Sequence, residues 1–236
     1  MNLQQRFGLF HSRPDWRAAR RPRRGWQIVA VGIAIAYSPM WLPRIPGAAG
    51  IAPGLPGPAS SIFWNALAVG GLAVYVAAVE RRRPASIGMR KPQGKDLEWA
   101  LYLFGVYMAW QWLIRAVLPP TADTGTAVIA ALPVTAVLGM IVSAAVFEEI
   151  LYRGYPIERL SELTGRRWLA YALTVPLFIA PHIFFFGVQW LWTAGVGAVV
   201  IYVLYAKTQN LPACMLLHLG INLPILIPTI AAHVGG

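Results

Sequence analysis

Seven separate stretches of this chain are apolar for about as long as a helix needs to cross a bilayer, and no soluble architecture accommodates that pattern. They lie near 26–43, 61–80, 97–118, 128–152, 168–186, 188–206 and 211–232 of 236 residues, with the fifth and sixth closely joined. No stretch alternates polar and apolar residues in the ~10-residue segments of a transmembrane barrel, so the runs read as helices. Composition agrees: 57% of the residues are hydrophobic and 12% are charged, against about 25% charged in soluble domains. The expected fold is all-α, a polytopic membrane helix bundle of about seven to eight transmembrane helices. It divides into a basic tail over 1–25, N-terminal transmembrane helices and loops over 26–127, and a transmembrane core over 128–236.

The chain carries 20 Lys and Arg against nine Asp and Glu, a net charge of +11. In a soluble protein that excess would suggest nucleic acid. Here seven of the basic residues precede Trp26 and six more fall within 81–95, next to apolar spans. Basic residues alternate between abundant and scarce from loop to loop, as cytoplasmic and outer connections do. The tail, the 81–96 loop and the 153–167 segment are therefore expected to be cytoplasmic, with membrane lipid and not nucleic acid as the partner of these charges. The first span follows the basic tail without a small-residue cleavage site and reads as uncleaved. The proline- and glycine-rich segment 43–59 reads as an outer connector. Trp26, Trp41, Trp64, Trp99, Trp168 and Trp190 lie near predicted span ends and read as an interfacial belt with no catalytic role. The single cysteine, Cys214, excludes an intrachain disulfide and reads as a packing residue. His11 and His233 lie in terminal segments and read as solvated bystanders.

Against this apolar background a few ionisable groups stand out, because a charge near the bilayer centre costs at least ~3 kcal/mol and needs a partner or a function. The fourth span contains Glu148, Glu149 and Arg153 in the string AAVFEEILYRGYPIERL. Glu149 and Arg153 are four apart on one helical face, acid before base, the favourable order for pairing. Glu148 points about 100° away around the helix and is left free to face something else. His182 sits among apolar and aromatic residues in LTVPLFIAPHIFFF, and His218 and Asn222 share one face of the seventh span. A buried carboxylate beside an imidazole can hold and deprotonate a water, since burial raises its proton affinity toward neutrality. A histidine and a carboxamide on a neighbouring helix offer donors to the oxyanion formed when water attacks an amide. The inventory fits peptide hydrolysis without a serine or thiol nucleophile. Neither the HExxH metalloprotease motif nor a GxSxG elbow is present.

At these residues the sequence resembles the CAAX-protease and bacteriocin-processing (CPBP, or Abi) family of intramembrane endopeptidases. The paired glutamates with a following arginine and glycine are matched by Glu148, Glu149, Arg153 and Gly154, the phenylalanine-to-histidine motif by Phe178 and His182, and the histidine-to-asparagine motif by His218 and Asn222. The motifs occur in the family's order, and the similarity spans roughly 130–225. The resemblance implies that Glu148 and His182 activate the water, that His218 and Asn222 stabilise the oxyanion, and that Glu149 and Arg153 shape the site; Phe178 reads as packing beside His182. Members of the family have been described both as zinc-type and as metal-independent glutamate proteases. The reading preferred here needs no cofactor; if zinc is present, its ligands are Glu148, His182 and His218. The implied substrate is a membrane-associated protein or peptide, either with a CAAX-like tail or of a C-terminal sorting or bacteriocin type. The implied location is a bacterial inner (plasma) membrane.

Helix geometry raises one conflict. If the fourth span ended at Tyr152, Glu148 would lie ~6 Å from the cytoplasmic edge while His182 would lie ~21 Å in from Trp168. The conflict eases if the helix runs on from about Pro133 through YPIERLSEL, bent near Gly154 and Pro156, with Arg153 buried and Arg159 at the interface, and eases further if Trp168 to Thr174 lies partly in the headgroup layer. Two other functions compete: a catalytically silent membrane interaction or immunity protein, and a proton-coupled transporter. Transport is disfavoured because spans one to three contribute no acidic residue to the interior.

Overall fold

The computed structural model describes residues 25–45, 57–118 and 124–234; the basic tail with His11, most of the 43–59 connector and the side chain of His233 lie outside the described residues. Among the described residues every regular element is helical. Among the described residues six helices are long and apolar enough to cross a bilayer, and the count is seven if the pair Gly25–Ala36 and Ser38–Arg44, bent by 53°, is taken as one span. We number the helices α1 (Gly25–Ala36), α2 (Gly57–Val74), α3 (Gly94–Val117), α4 (Thr124–Ala130), α5 (Val134–Glu148), α6 (Tyr155–Thr164), α7 (Arg167–Phe186), α8 (Gly195–Thr208), α9 (Leu211–Asn222) and α10 (Leu226–Val234). The chain is an integral membrane protein with an all-α, polytopic bundle.

The expected fourth span of 128–152 is corrected at both ends. Residues before Ala130 form the separate α4, because Pro133 caps α5 with an extended backbone. At the other end the helix does not stop at Tyr152 but continues to Thr164, giving a span of 31 residues. The join is a π-helical turn over Glu149–Gly154, in which the Tyr155 N–H reaches back to the Ile150 carbonyl. Pro156 explains it: proline has no N–H to donate into the next turn, and widening the helix just before it absorbs the break without ending the rod. Gly154 is required on steric grounds, since a Cβ there would lie 2.9 Å from the Ile87 carbonyl oxygen and 2.8 Å from Leu211. Gly165, left-handed at φ 70°, ends the rod.

The bundle is organised around α8, which is apolar on all sides and therefore central. Its Ile201, Tyr202, Leu204 and Tyr205 pack with Leu103 and Tyr107 of α3, Ile157 of α6, Phe178 of α7 and Leu217 and Ile221 of α9. A second core joins Ala36 of α1, Ala68 and Leu72 of α2, and Leu151 and Tyr155 of the long rod. At one end of the bundle the 80–93 loop is sewn down. Glu80 accepts from Tyr155 Oη at 2.8 Å and from Arg159 Nε at 2.8 Å, and Arg159 also donates to the Ser86 carbonyl at 3.1 Å and hydroxyl at 2.9 Å. The Asn210 amide donates to Asp96 at 2.9 Å.

Arg159 is 1% exposed, because Glu80, Ser86 and Glu162 satisfy its guanidinium inside the protein. Two expectations are corrected. Spans two and three do deliver acidic groups to the interior, Glu80 and Asp96, but at their loop ends. Trp64 is 4% exposed, hence a core residue and not part of an interfacial belt.

Candidate active site

The long rod sets the depth of the glutamates. Glu148 and Glu149 fall near the middle of its 31 residues, about 20 Å from either end at 1.5 Å per residue. The continuation through α6 thus resolves the conflict in depth, since His182 lies deep in α7 and His218 lies within α9. All three helices pack on the π turn or beside it.

The two carboxylates are in different environments. Glu149 is fully buried, and its Oε1 accepts from Arg153 Nη1, also fully buried, and from His218 Nδ1 at 2.8 Å. A carboxylate only accepts, so His218 carries its proton on Nδ1 and presents Nε2 elsewhere. The Arg153 guanidinium lies against two aromatic rings set roughly edge to face, 4.6 Å from the Phe178 centroid and 4.1 Å from that of Tyr202. Such desolvated cation–π contacts each contribute up to about 2 kcal/mol, and they explain how a charge survives here without solvent. Glu149 Oε2 and Arg153 Nε and Nη2 have no hydrogen-bond partner among the described residues. Glu148, half-buried, makes no hydrogen bond to a described residue.

His182 is held from three directions. Its Nδ1 donates to the Phe178 carbonyl at 2.8 Å, fixing the tautomer because a carbonyl cannot donate. Its ring packs on Phe178 at 4.6 Å and stacks on Trp190 at 4.7 Å with an interplanar angle of 20°. Glu148, His218 and Arg153 all lie close enough to act on it electrostatically. Asn222 ends α9, one turn beyond His218, and is half-buried. The rod, α7 and α9 therefore bring Glu148, Glu149, Arg153, His182 and His218 together, with Asn222 on the same helix as His218. Among the described residues no three His, Cys, Asp or Glu side chains are gathered as ligands of one metal ion. The arrangement as it stands does not fit zinc held by Glu148, His182 and His218, and no step below runs through a metal.

The sequence gives no sign of the aromatic lining. Trp190, expected near a span end, is half-buried and packs on His182. Tyr37 comes from the end of α1 and is 8% exposed. It meets Tyr152 edge to face at 5.4 Å, and Tyr152 meets Phe178 at 5.3 Å. The Tyr37 hydroxyl is buried without a partner among the described residues. A tyrosine in an apolar run has no periodic or charge signature, so only tertiary packing reveals these neighbours. Phe178 is beside His182 as expected, and it is also one of the two rings against the Arg153 guanidinium.

Such a site, with one carboxylate fixed by charge and hydrogen bonds and another left open beside an oriented imidazole, has the chemistry for water activation. Comparison with known proteins agrees at the level of the family. The model described as type II CAAX prenyl endopeptidase Rce1-like matches residues 130–224. No curated protein and no solved structure matches the chain. Residues 130–224, which contain all three motifs and the helices that carry them, are thus similar to the type II CAAX prenyl endopeptidase Rce1-like family.

Proposed function

We propose that the protein is an intramembrane endopeptidase in which Glu148 and His182 activate a water for attack on a peptide bond. The observation that carries this reading is the division of labour between adjacent glutamates. Glu149 is fully engaged by Arg153 and His218, whereas Glu148 makes no hydrogen bond to the described residues and has His182 nearby. A water between Glu148 and Nε2 of His182 transfers a proton to the carboxylate as its oxygen adds to the carbonyl. The tetrahedral oxyanion is stabilised by His218, held in place through its Nδ1 contact with Glu149, and by the Asn222 amide. The proton held by Glu148 then passes to the leaving amine, so no covalent intermediate forms.

The substrate class is a membrane-associated protein or peptide cut near its C-terminus, CAAX-like or of a sorting or bacteriocin type. In this reading the N-terminus faces the cytoplasm of a bacterial inner membrane. Two quenched peptides in mixed micelles serve as probes, one farnesylated on a CAAX tail and one an unprenylated apolar sorting-type tail. Glu148→Gln and His182→Ala are each expected to abolish cleavage, with circular dichroism and thermal unfolding in detergent showing a folded protein. Undiminished turnover by either variant sinks the assignment. A silent interaction protein would show no turnover even as wild type. Elemental analysis of active protein with a chelator titration tests the metal-free preference, which fails if stoichiometric zinc is lost in step with activity.

A further inference from the structure

The segment between α7 and α8 starts at Gly187, left-handed at φ 85°, and makes a short 3₁₀ turn over Val188–Leu191 before α8 begins at Gly195. Its backbone is tied to α3, outside the family-matched segment. Trp110 Nε1 donates to the Trp192 carbonyl at 2.8 Å, and Gln111 Nε2 donates to the Thr193 carbonyl at 2.9 Å. Thr193 Oγ1 in turn donates to the Gln189 carbonyl at 3.1 Å. Gly195 packs so closely that a Cβ would lie 2.9 Å from the Trp190 ring and 2.7 Å from its carbonyl oxygen. The indole is therefore fixed from behind, and its face lies on His182. Phe186 runs nearly parallel to both rings, 6.3 Å from His182 and 6.4 Å from Trp190.

We infer that this turn is a positioning cap: Trp190 locks the ring plane of His182 and keeps water off that face, and α3 holds Trp190 in place through Trp110 and Gln111. The inference rests on the hydrolytic role proposed for His182. The Nδ1 bond to Phe178 alone leaves the ring free to tilt about the line of that bond. Stacking on a fixed indole removes the tilt and aims Nε2, the only nitrogen left for chemistry, in one direction. Trp190 does not itself touch the reacting atoms. Side chains at 110 and 111 thereby become part of the apparatus, although no motif covers them.

The test uses the full chain in micelles with the two quenched peptides described above. Trp190→Ala is expected to lower kcat roughly 10- to 100-fold with KM unchanged, the scale on which a displaced catalytic group acts. Trp190→Phe, which keeps a stacking face, should recover most of the loss, and Gln111→Ala should show a fall of about 3- to 10-fold as the turn loosens. A readout that needs no turnover is the rate at which diethyl pyrocarbonate modifies His182, followed on its peptide by mass spectrometry. That rate should rise several-fold in Trp190→Ala and stay near wild type in Trp190→Phe. Wild-type kcat together with an unchanged modification rate in Trp190→Ala overturns the cap, as does a Phe variant no better than Ala. If the wild type cleaves neither peptide, the modification rates alone decide. Full activity in His182→Ala would instead bring down the hydrolytic reading, a result that the Trp190 variants do not mimic.

Discussion

At the scale of single residues, the protein handles its buried charges by concentrating them. Glu149 carries two hydrogen-bonding partners on one oxygen, and Arg153 packs against two rings with part of its guanidinium unpaired. Removing one member of such a set leaves the others charged and dry. Arg153→Ala is expected to destabilise the fold by about 3–5 kcal/mol, the usual cost of breaking a buried ion pair from one side. Unfolding of the purified protein in detergent measures it, and an unchanged midpoint would mean that Glu149 is not ionised in the folded state. The effect is separate from catalysis: Glu148→Gln touches no such pair and should leave the same midpoint close to wild type. The pairing of Glu149 with Arg153 was legible from their four-residue spacing alone. The contact between Glu149 and His218 was not, because 69 residues separate them and spacing along one helix says nothing about a neighbour.

At the scale of elements, the decisive piece is the rod from Val134 to Thr164 with its π turn. Composition suggests a stop near Tyr152, where the run of apolar residues gives way to charges. The helix goes on because those charges are satisfied by other parts of the protein and so need not mark the membrane edge. Gly154 is where the rod comes closest to its neighbours. Gly154→Ala places a methyl against the Ile87 carbonyl, which cannot move aside as a side-chain end can. Overpacking of this kind typically costs 1–3 kcal/mol, about that much being expected in the unfolding free energy. The same variant should lower activity, since the π turn carries both Glu149 and Arg153. Stability and turnover both equal to wild type would show that the close approach is not a constraint.

At the scale of the molecule, the N-terminal helices brace the half that holds the motifs. Glu80, at the foot of the second span, is held by Tyr155 and Arg159 of the rod, and the loop after it is fastened to α8 and α9 through Arg90 and Leu211. This polar end is the one the charge pattern predicts to be cytoplasmic. Because Cys214 is fully buried, single cysteines report topology in the natural background. Exposed Arg83→Cys should react with a membrane-impermeant maleimide only after permeabilisation, and exposed Ala59→Cys should react in intact cells. The reverse pattern would invert the whole assignment of sides.

What the sequence by itself determined is whatever follows from length, periodicity and local spacing. Seven apolar runs mean a helical membrane bundle, and three short motifs on three different spans mean a shared site between them. Tertiary structure alone decided which glutamate is engaged and which is open. It also showed that Arg159 is buried, and that Trp190 stacks on the imidazole. The reason is physical: in a span where nearly every residue is apolar, hydrophobic pattern does not distinguish a lipid-facing side chain from a protein-facing one. Only the packing of neighbouring helices makes that distinction, and with it the environment of each charge.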